Sequence, residues 1–288
     1  MKSSRARATG LLLAIVTVLG GCQSAGLAFI NAAAPATSRV EDIAFGDGPR
    51  RGMDIYAPRQ RAAGPAGPLV VFWYGGAWME GSKHDYRFVG AALASRGLVT
   101  AIPDYRLYPE VRFPEFLRDA AAAVARAQRE APRHGADAAR TVLGGHSAGA
   151  YIAAMLALQP EYLREAGVDP ASVVGFFGLS GPYAIVPDTQ ALKEIFNSRA
   201  QPAQFQAIAQ VSAKAPRALL IHGSADTVVY VSHSEKLAQA LRAQGVSVEL
   251  RIIPGRRHVD TVLALSRPGA FRIPGLADRI SEFAHTAR

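Results

Sequence analysis

Gly145-His146-Ser147-Ala148-Gly149 sets a serine between two glycines, each two residues away. Such a G-x-S-x-G run carries meaning only where it joins a strand to a helix. Here TVLGG (141–145) reads as a short strand and AGAYIAAMLALQ (148–159) as a helix. A sharp turn between them presents the hydroxyl at the edge of a sheet, and residues two before and two after must be small to avoid collision. A serine hydroxyl is a poor nucleophile near neutral pH. It needs a base, and the base needs an acid to orient it. In the chain order serine, acid, histidine, the histidines after Ser147 are His222, His233, His258 and His285. His258, in PGRRHVD, stands in the loop after the last expected strand and is the expected base. His222 closes the strand RALLIHG and reads as a packing or hydrogen-bonding residue; His233 sits on an amphipathic helix and His285 near the chain end. Asp226, in HGSADTVV, follows that same strand and is the expected orienter, with Asp260, Asp188 and Glu249 as weaker alternatives. Alone, Asp226 would be a turn residue and His258 a surface loop residue. Together with Ser147 they imply acyl transfer to water.

A second feature is FWYGGAW (72–78), an apolar run ending in Gly75 and Gly76 held between aromatic residues. It closes the apolar strand PLVVFWY (68–74). The elements that must position these groups follow in alternation. Before them, VEDIAFG and RGMDIYAP alternate apolar and polar residues as a half-buried hairpin does. After PLVVFWY come a helix (84–97), the strand LVTAIPDY (98–105), a strong helix (113–130), the 141–145 strand and 148–159 helix, and the strand VVGFFGLS (173–180). The strand RALLIHG (217–223), a helix (231–245), the strand VSVELRIIP (246–254) and a last helix (274–287) complete the series. Wholly apolar strands alternating with helices predict an α/β fold with a mostly parallel central sheet covered on both faces. Residues 182–214 break the alternation and are expected as a short cap insertion over the sheet's C-terminal edge, where open α/β sheets place their sites. In that insertion Tyr183, Ile185, Phe196 and Phe205 either line an acyl pocket or dock the insertion to the body.

The N-terminus reads as a targeting segment. Lys2, Arg5 and Arg7 precede the apolar run LLLAIVTVL (11–19), which is far shorter than the roughly 20 residues a membrane-spanning helix needs. Residues 1–21 are therefore expected to be a signal peptide, 22–39 an Ala-rich tether and 40–288 the folded domain. Cys22 is the only cysteine, so no internal disulfide and no thiolate metal cage is expected. The net charge of +9 falls to +6 without Lys2, Arg5 and Arg7, and the arginines are scattered with no interleaved aromatics. Nucleic acid is not an expected partner.

Leu19-Gly20-Gly21-Cys22 resembles the bacterial lipobox, which implies lipidation at Cys22 and a protein anchored to the membrane of the cell envelope, with Gln23 favouring the outer membrane over the inner; the alternative is an ordinary signal peptide cut nearby, with Cys22 incidental and the protein soluble in the periplasm or secreted. Residues 40–288 resemble the α/β-hydrolase superfamily, in the branch of hormone-sensitive-lipase-like, feruloyl-esterase-like, isoprenylcysteine methylesterase and kynurenine formamidase enzymes. The resemblance rests on YGGAW (74–78), DYRLYPE (104–110) with FP (113–114), GHSAG (145–149), HGSADTVV (222–229) and the loop around His258. It implies the α/β-hydrolase fold and hydrolysis of small-molecule carboxylic esters without a metal or organic cofactor, or alternatively amidase or formamidase activity; a non-catalytic envelope binding protein is the remaining alternative. It further implies an oxyanion hole made by the N–H groups of Gly76, Ala77 and Ala148. Tyr74 stands where these families usually have His, and is expected to brace the loop in its place. Asp104 and Arg106 are expected as polar supports below the site. Oligomeric state is not legible.

Overall fold

The computed structural model describes residues 29–60, 64–196, 201–267 and 271–287. The expected leader (1–21) and Cys22 lie outside the described residues. The chain opens with β1 (Ser38–Ala44) and β2 (Gly52–Ala57), followed by β3 (Gly67–Trp73), a 3-10 turn (Lys83–Tyr86), α1 (Arg87–Ala94) and β4 (Val99–Pro103). Next come α2 (Glu115–His134), β5 (Ala136–His146), α3 (Ala148–Leu158), α4 (Glu161–Glu165) and β6 (Val173–Leu179). The 182–214 stretch holds α5 (Gln190–Ile195), α6 (Pro202–Phe205) and a 3-10 turn (Ala207–Gln210). The chain finishes with β7 (Arg217–Gly223), α7 (Ser232–Ala243), β8 (Val248–Ile253), α8 (Asp260–Leu263) and α9 (Leu276–Thr286).

One eight-stranded sheet runs in the order β1-β2-β4-β3-β5-β6-β7-β8. β1 pairs with β2, and β2 with β4, antiparallel; every pairing from β4 through β8 is parallel. The burial follows from that order. From Pro68 to Trp73 the central strand β3 is wholly buried, while β8 at the edge has no fully buried residue. The chain leaves β3 towards β4 on one side and returns to β5 on the other. The direction of winding reverses between β3 and β5, so a crevice opens outside their C-terminal ends. FWYGGAW ends β3 and Ser147 follows β5, so both meet at that crevice.

Three boundaries depart from the periodicity. β5 begins at Ala136 rather than Thr141, because Ala136 and Asp137 pair with Gly67 and Pro68 across an irregularity. α2 runs past residue 130, through Pro132 in its last turn, to Gly135, whose φ of 88° ends it. Residues 29–34, expected within the tether, touch the body: Ile30 is buried, and the Asn31 side chain donates to His84 O at 2.9 Å and accepts from Phe88 N–H at 3.0 Å.

The hairpin is tied to the rest by an ion cluster centred on buried Lys83 and Asp54. Lys83 Nζ lies 2.6 Å from both Asp42 Oδ1 and Asp54 Oδ1, and Arg39 Nη2 lies 2.6 Å from Asp54 Oδ2. Among the described residues no helix is long and apolar enough to cross a membrane.

Candidate active site

Ser147 sits at φ 54°, ψ −122°, a conformation that an L-residue adopts only under constraint. The constraint is mutual packing of three backbones. A Cβ on Gly145 would lie 2.2 Å from the Gly149 carbonyl carbon, and a Cβ on Gly149 would lie 2.1 Å from Trp73 O. The start of α3 is therefore pressed against both β5 and the end of β3. Ser147 N–H donates to Leu179 O at 2.9 Å, which fixes the turn to β6 as well.

The turn points the hydroxyl at a histidine carried by the loop after β8. His258 Nε2 lies 2.9 Å from Ser147 Oγ, and His258 Nδ1 lies 2.8 Å from Asp226 Oδ2. A carboxylate only accepts, so Nδ1 carries the proton and Nε2 is free to accept from Ser147. Asp226 and His258 are both buried, while Ser147 keeps access to solvent. Asp226 Oδ1 accepts the N–H groups of Val228 and Val229, both at 2.9 Å. Burial alone would raise this carboxyl, but the hydrogen bonds from His222, His258 and the Val229 N–H outweigh it and hold Asp226 well below the usual carboxylate range.

Of the two readings of His222, packing or hydrogen bonding, the structure shows the second. Its Nε2 lies 2.8 Å from Val229 O and 3.2 Å from Asp226 Oδ2, and its Nδ1 lies 2.7 Å from Ser234 Oγ. Val229 O only accepts, so Nε2–H donates, to that carbonyl and to Asp226 together. Two histidines thus converge on one carboxylate oxygen, and the 226–229 turn is held from below. The rival acids lie elsewhere: Asp260 Oδ2 accepts Arg257 N–H at 2.8 Å at the start of α8, and Glu249 pairs with Arg279. His233 Nδ1 accepts Ala184 N–H at 3.0 Å, and His285 lies 3.4 Å from Arg96 O.

Opposite the histidine, Gly76, Ala77 and Trp78 take φ values of 132°, 51° and 61°. Three positive values in succession curl the chain so that Met79 N–H and Glu80 N–H both fold back onto Gly76 O. Gly76 is obligatory, since a Cβ there would meet Glu80 O at 2.1 Å. The N–H groups of Gly76, Ala77 and Ala148 have no acceptor among the described residues. Free N–H groups beside a nucleophile suit a developing oxyanion. The loop packs directly on Ser147, because a Cβ on Gly75 would come within 3.0 Å of Ser147 Cβ.

Tyr74 is wholly buried and stacks on Tyr105 with centroids 4.7 Å apart. A Cβ on Gly81 would strike the Tyr74 ring at 2.8 Å and Gly75 O at 2.7 Å, so the ring and the returning loop interlock. Tyr105 OH donates to Tyr74 O at 3.3 Å, and Tyr108 N–H donates to Trp78 O at 2.8 Å. The DYRLYPE segment therefore backs the loop along its length. Asp104 accepts Lys83 N–H at 2.8 Å, and Arg106 grips buried Asp119 through Nε and Nη2, each at 2.8 Å. Tyr86, which sequence reasoning passed over, accepts Gly75 N–H at 3.2 Å.

Tyr183, Ile185, Phe196 and Phe205 are all buried. Phe196 meets Trp78 and Tyr151 edge-on at 4.9 and 5.7 Å, and Tyr151 OH donates to Phe205 O at 2.7 Å. These contacts dock the insertion onto α3 and the loop after β3. Among the described residues no group of three or more His, Cys, Asp or Glu is placed to hold a metal ion.

The family model BD-FAE matches residues 53–241, a span that takes in the loop after β3, Ser147 and Asp226. The chain belongs to the BD-FAE family. Beyond this BD-FAE match, the chain is 29% identical over 245 residues to a probable isoprenylcysteine alpha-carbonyl methylesterase, ICMEL1, of Oryza sativa subsp. japonica, covering 77% of this chain and 57% of that one. It is 30% identical over 248 residues to Esterase LipC of Mycobacterium tuberculosis, covering 79% and 61%. The chain thus spans between half and two thirds of the length of these curated relatives. Esterase B from Lactobacillus Rhamnosis matches in structure with a TM-score of 0.77, at 19% identity, over 96% of both chains. The fold of this BD-FAE member is the α/β-hydrolase fold.

Proposed function

We propose that the protein is a serine esterase that hydrolyses small carboxylic esters. Ser147 attacks the ester carbonyl while His258 Nε2 takes its proton. Asp226 holds the imidazole in that tautomer and stabilises its cation. The tetrahedral oxyanion is received by the N–H groups of Gly76, Ala77 and Ala148, each such donor contributing on the order of 3 kcal/mol in comparable enzymes. His258 then returns the proton to the departing alcohol, and water repeats the sequence on the acyl-enzyme.

The observation that carries this reading is the continuous Ser147–His258–Asp226 chain, at 2.9 and 2.8 Å, facing a loop with unused N–H donors. The relatives point the same way: the rice protein is named a methylesterase and the mycobacterial one an esterase. Val228, Tyr230 and Val259 stand exposed beside Asp226 and His258 and offer apolar surface to an acyl or alcohol group.

Short-chain p-nitrophenyl esters test the proposal. The parent turns them over and its Ser147 is labelled by a fluorophosphonate; Ser147→Ala loses both while its melting temperature holds. Unchanged turnover in Ser147→Ala sinks the assignment. A parent that cleaves N-formyl amides at higher kcat/KM than any ester reassigns the site to formamide hydrolysis.

A further inference from the structure

We propose that Tyr86 and His146 form a buried positioning bridge that holds the oxyanion loop and the backbone of His258 at a fixed separation across Ser147. The proposal rests on the esterase reading above and assigns work to two side chains that the triad does not use.

The bridge has three links. Gly75 N–H donates to Tyr86 OH at 3.2 Å, Tyr86 OH lies 2.9 Å from His146 Nδ1, and His146 Nε2 lies 3.2 Å from His258 O. Their direction is fixed by chemistry. His258 O only accepts, so His146 Nε2 carries the proton and Nδ1 is the acceptor. Tyr86 OH must then donate to Nδ1, which leaves its oxygen lone pairs for Gly75 N–H. Every polar atom of both side chains is used, and the other tautomer of His146 would lose the link to His258 O, which can only accept. Burial keeps the ring neutral, pushing it down to about 3, with the neighbouring His258 acting in the same direction.

Position makes the bridge more than packing. His146 immediately precedes Ser147, so its ring leaves the same strained turn that aims the nucleophile. Tyr86 is carried by the 3-10 turn after the loop, and His258 O belongs to the residue whose ring is the base. The His146 and His258 rings lie 5.0 Å apart, and a Cβ on Gly75 would come within 2.9 Å of His146 Nδ1. His258 O also accepts Thr261 Oγ1–H at 3.2 Å, and that hydroxyl lies 3.0 Å from Ser180 Oγ at the end of β6. One chain of hydrogen bonds therefore runs from Gly75, next to the proposed oxyanion donors Gly76 and Ala77, through the residue preceding Ser147 to the backbone of the base. Loosening it lets the base and the hole drift apart, which weakens the transition state while leaving the substrate's ground-state contacts in place.

The test compares Tyr86→Phe, His146→Gln, His146→Leu and the double variant Tyr86→Phe/His146→Gln. Active sites are counted by fluorophosphonate, kcat and KM are measured on p-nitrophenyl butyrate, and affinity is measured for a trifluoromethyl ketone that adds to Ser147 as an oxyanion. Tyr86→Phe is expected to lower kcat per titrated site by roughly 10- to 100-fold with KM changed less than about twofold, and to weaken ketone binding in proportion. His146→Gln, which can still donate to His258 O, retains more kcat than His146→Leu. The double variant falls no further than the weaker single, because both cut one chain. Folded variants that keep kcat within about twofold and lose only melting temperature overturn the bridge. If Tyr86→Phe does not fold, the Gln-versus-Leu order at His146 decides alone, and equal kcat there overturns the proposal. A parent that neither hydrolyses esters nor labels at Ser147 overturns the esterase reading and the bridge with it; an active parent with indifferent variants overturns the bridge only.

Discussion

Replacing Gly149 by alanine tests whether the turn at Ser147 is built as tightly as its geometry implies. The added methyl would lie 2.1 Å from Trp73 O, 2.4 Å from Trp73 C and 2.6 Å from Tyr74 O. All three are backbone atoms of the strand that leads into the oxyanion loop, so no side chain can swing aside. Reaching ordinary contact means opening the α3–β3 gap by about 1 Å. That displacement acts on both halves of the site, since Ser147 and Ala148 N–H stand at the start of α3 while the loop leaving β3 carries Gly76 and Ala77. A misplacement of this size lowers kcat by about 100-fold. Overpacking costs about 1–3 kcal/mol of stability, which for a domain of this size lowers the melting temperature by roughly 2–10 °C. The assay is kcat per fluorophosphonate-titrated site beside a thermal melt. Gly67→Ala is the control on the same strand, because its methyl would meet nothing closer than Gly97 O at 3.6 Å. If Gly149→Ala matches the parent in both kcat and melting temperature, the three-backbone account of the turn is wrong.

His222→Phe removes a donor from buried Asp226 and is expected to lower kcat by roughly 10-fold at pH 7, the scale of one hydrogen bond to a charged group; an unchanged kcat would mean that His258 and the turn N–H groups hold the carboxylate unaided. His146 gives a pH signature. Unfolded, it titrates near 6.5, and folded, only at about 3. Between those values the unfolded chain binds the extra proton, so stability falls as pH drops through this window. Urea midpoints taken from pH 7 to pH 4 should therefore fall less steeply in His146→Gln than in the parent, and parallel slopes would contradict the buried neutral ring. If the lipobox-like LGGC is used, cells fed labelled palmitate incorporate it into the parent and not into Cys22→Ser; label in both places the acylation elsewhere.

The parts of this protein legible in the sequence are those set by local pattern. RALLIHG gave β7 its bounds because apolar content and flanking turn residues coincide there, and GHSAG could be placed because its own glycines need the strand–helix turn they occupy. Chain order after Ser147, together with a place in the loops just after β7 and β8, singles out Asp226 and His258 from the other acids and histidines. What escaped was whatever depends on partners distant in sequence. Tyr86 and His146 are 60 residues apart, and His146 and His258 are 112 apart. Nothing near His146 distinguishes it from an arbitrary middle residue of the motif. His222 announced a polar group at a strand end, but its bond to Asp226 depends on the 226–229 turn folding back over β7. The first five residues of β5 escaped for a related reason: ADAAR has no apolar run, and it is the pairing with Gly67 and Pro68 that makes Ala136 and Asp137 extended.

Ser147 and its base are separated by 111 residues of chain. At a synthesis rate of about 5–20 residues per second, the ribosome needs roughly 6–20 s to travel from one to the other. Through most of that interval the emerging polypeptide holds the serine and the loop after β3 but neither Asp226 nor His258; Asp226 arrives just after β7, and His258 only after β8. Under the proposed mechanism Ser147 is thus unarmed until late in translation, and reactivity arrives only with the last two strands. On that mechanism chains cut short before β8 are inert towards a fluorophosphonate, and the appearance of phosphonate-reactive protein becomes a clock for completion of the sheet.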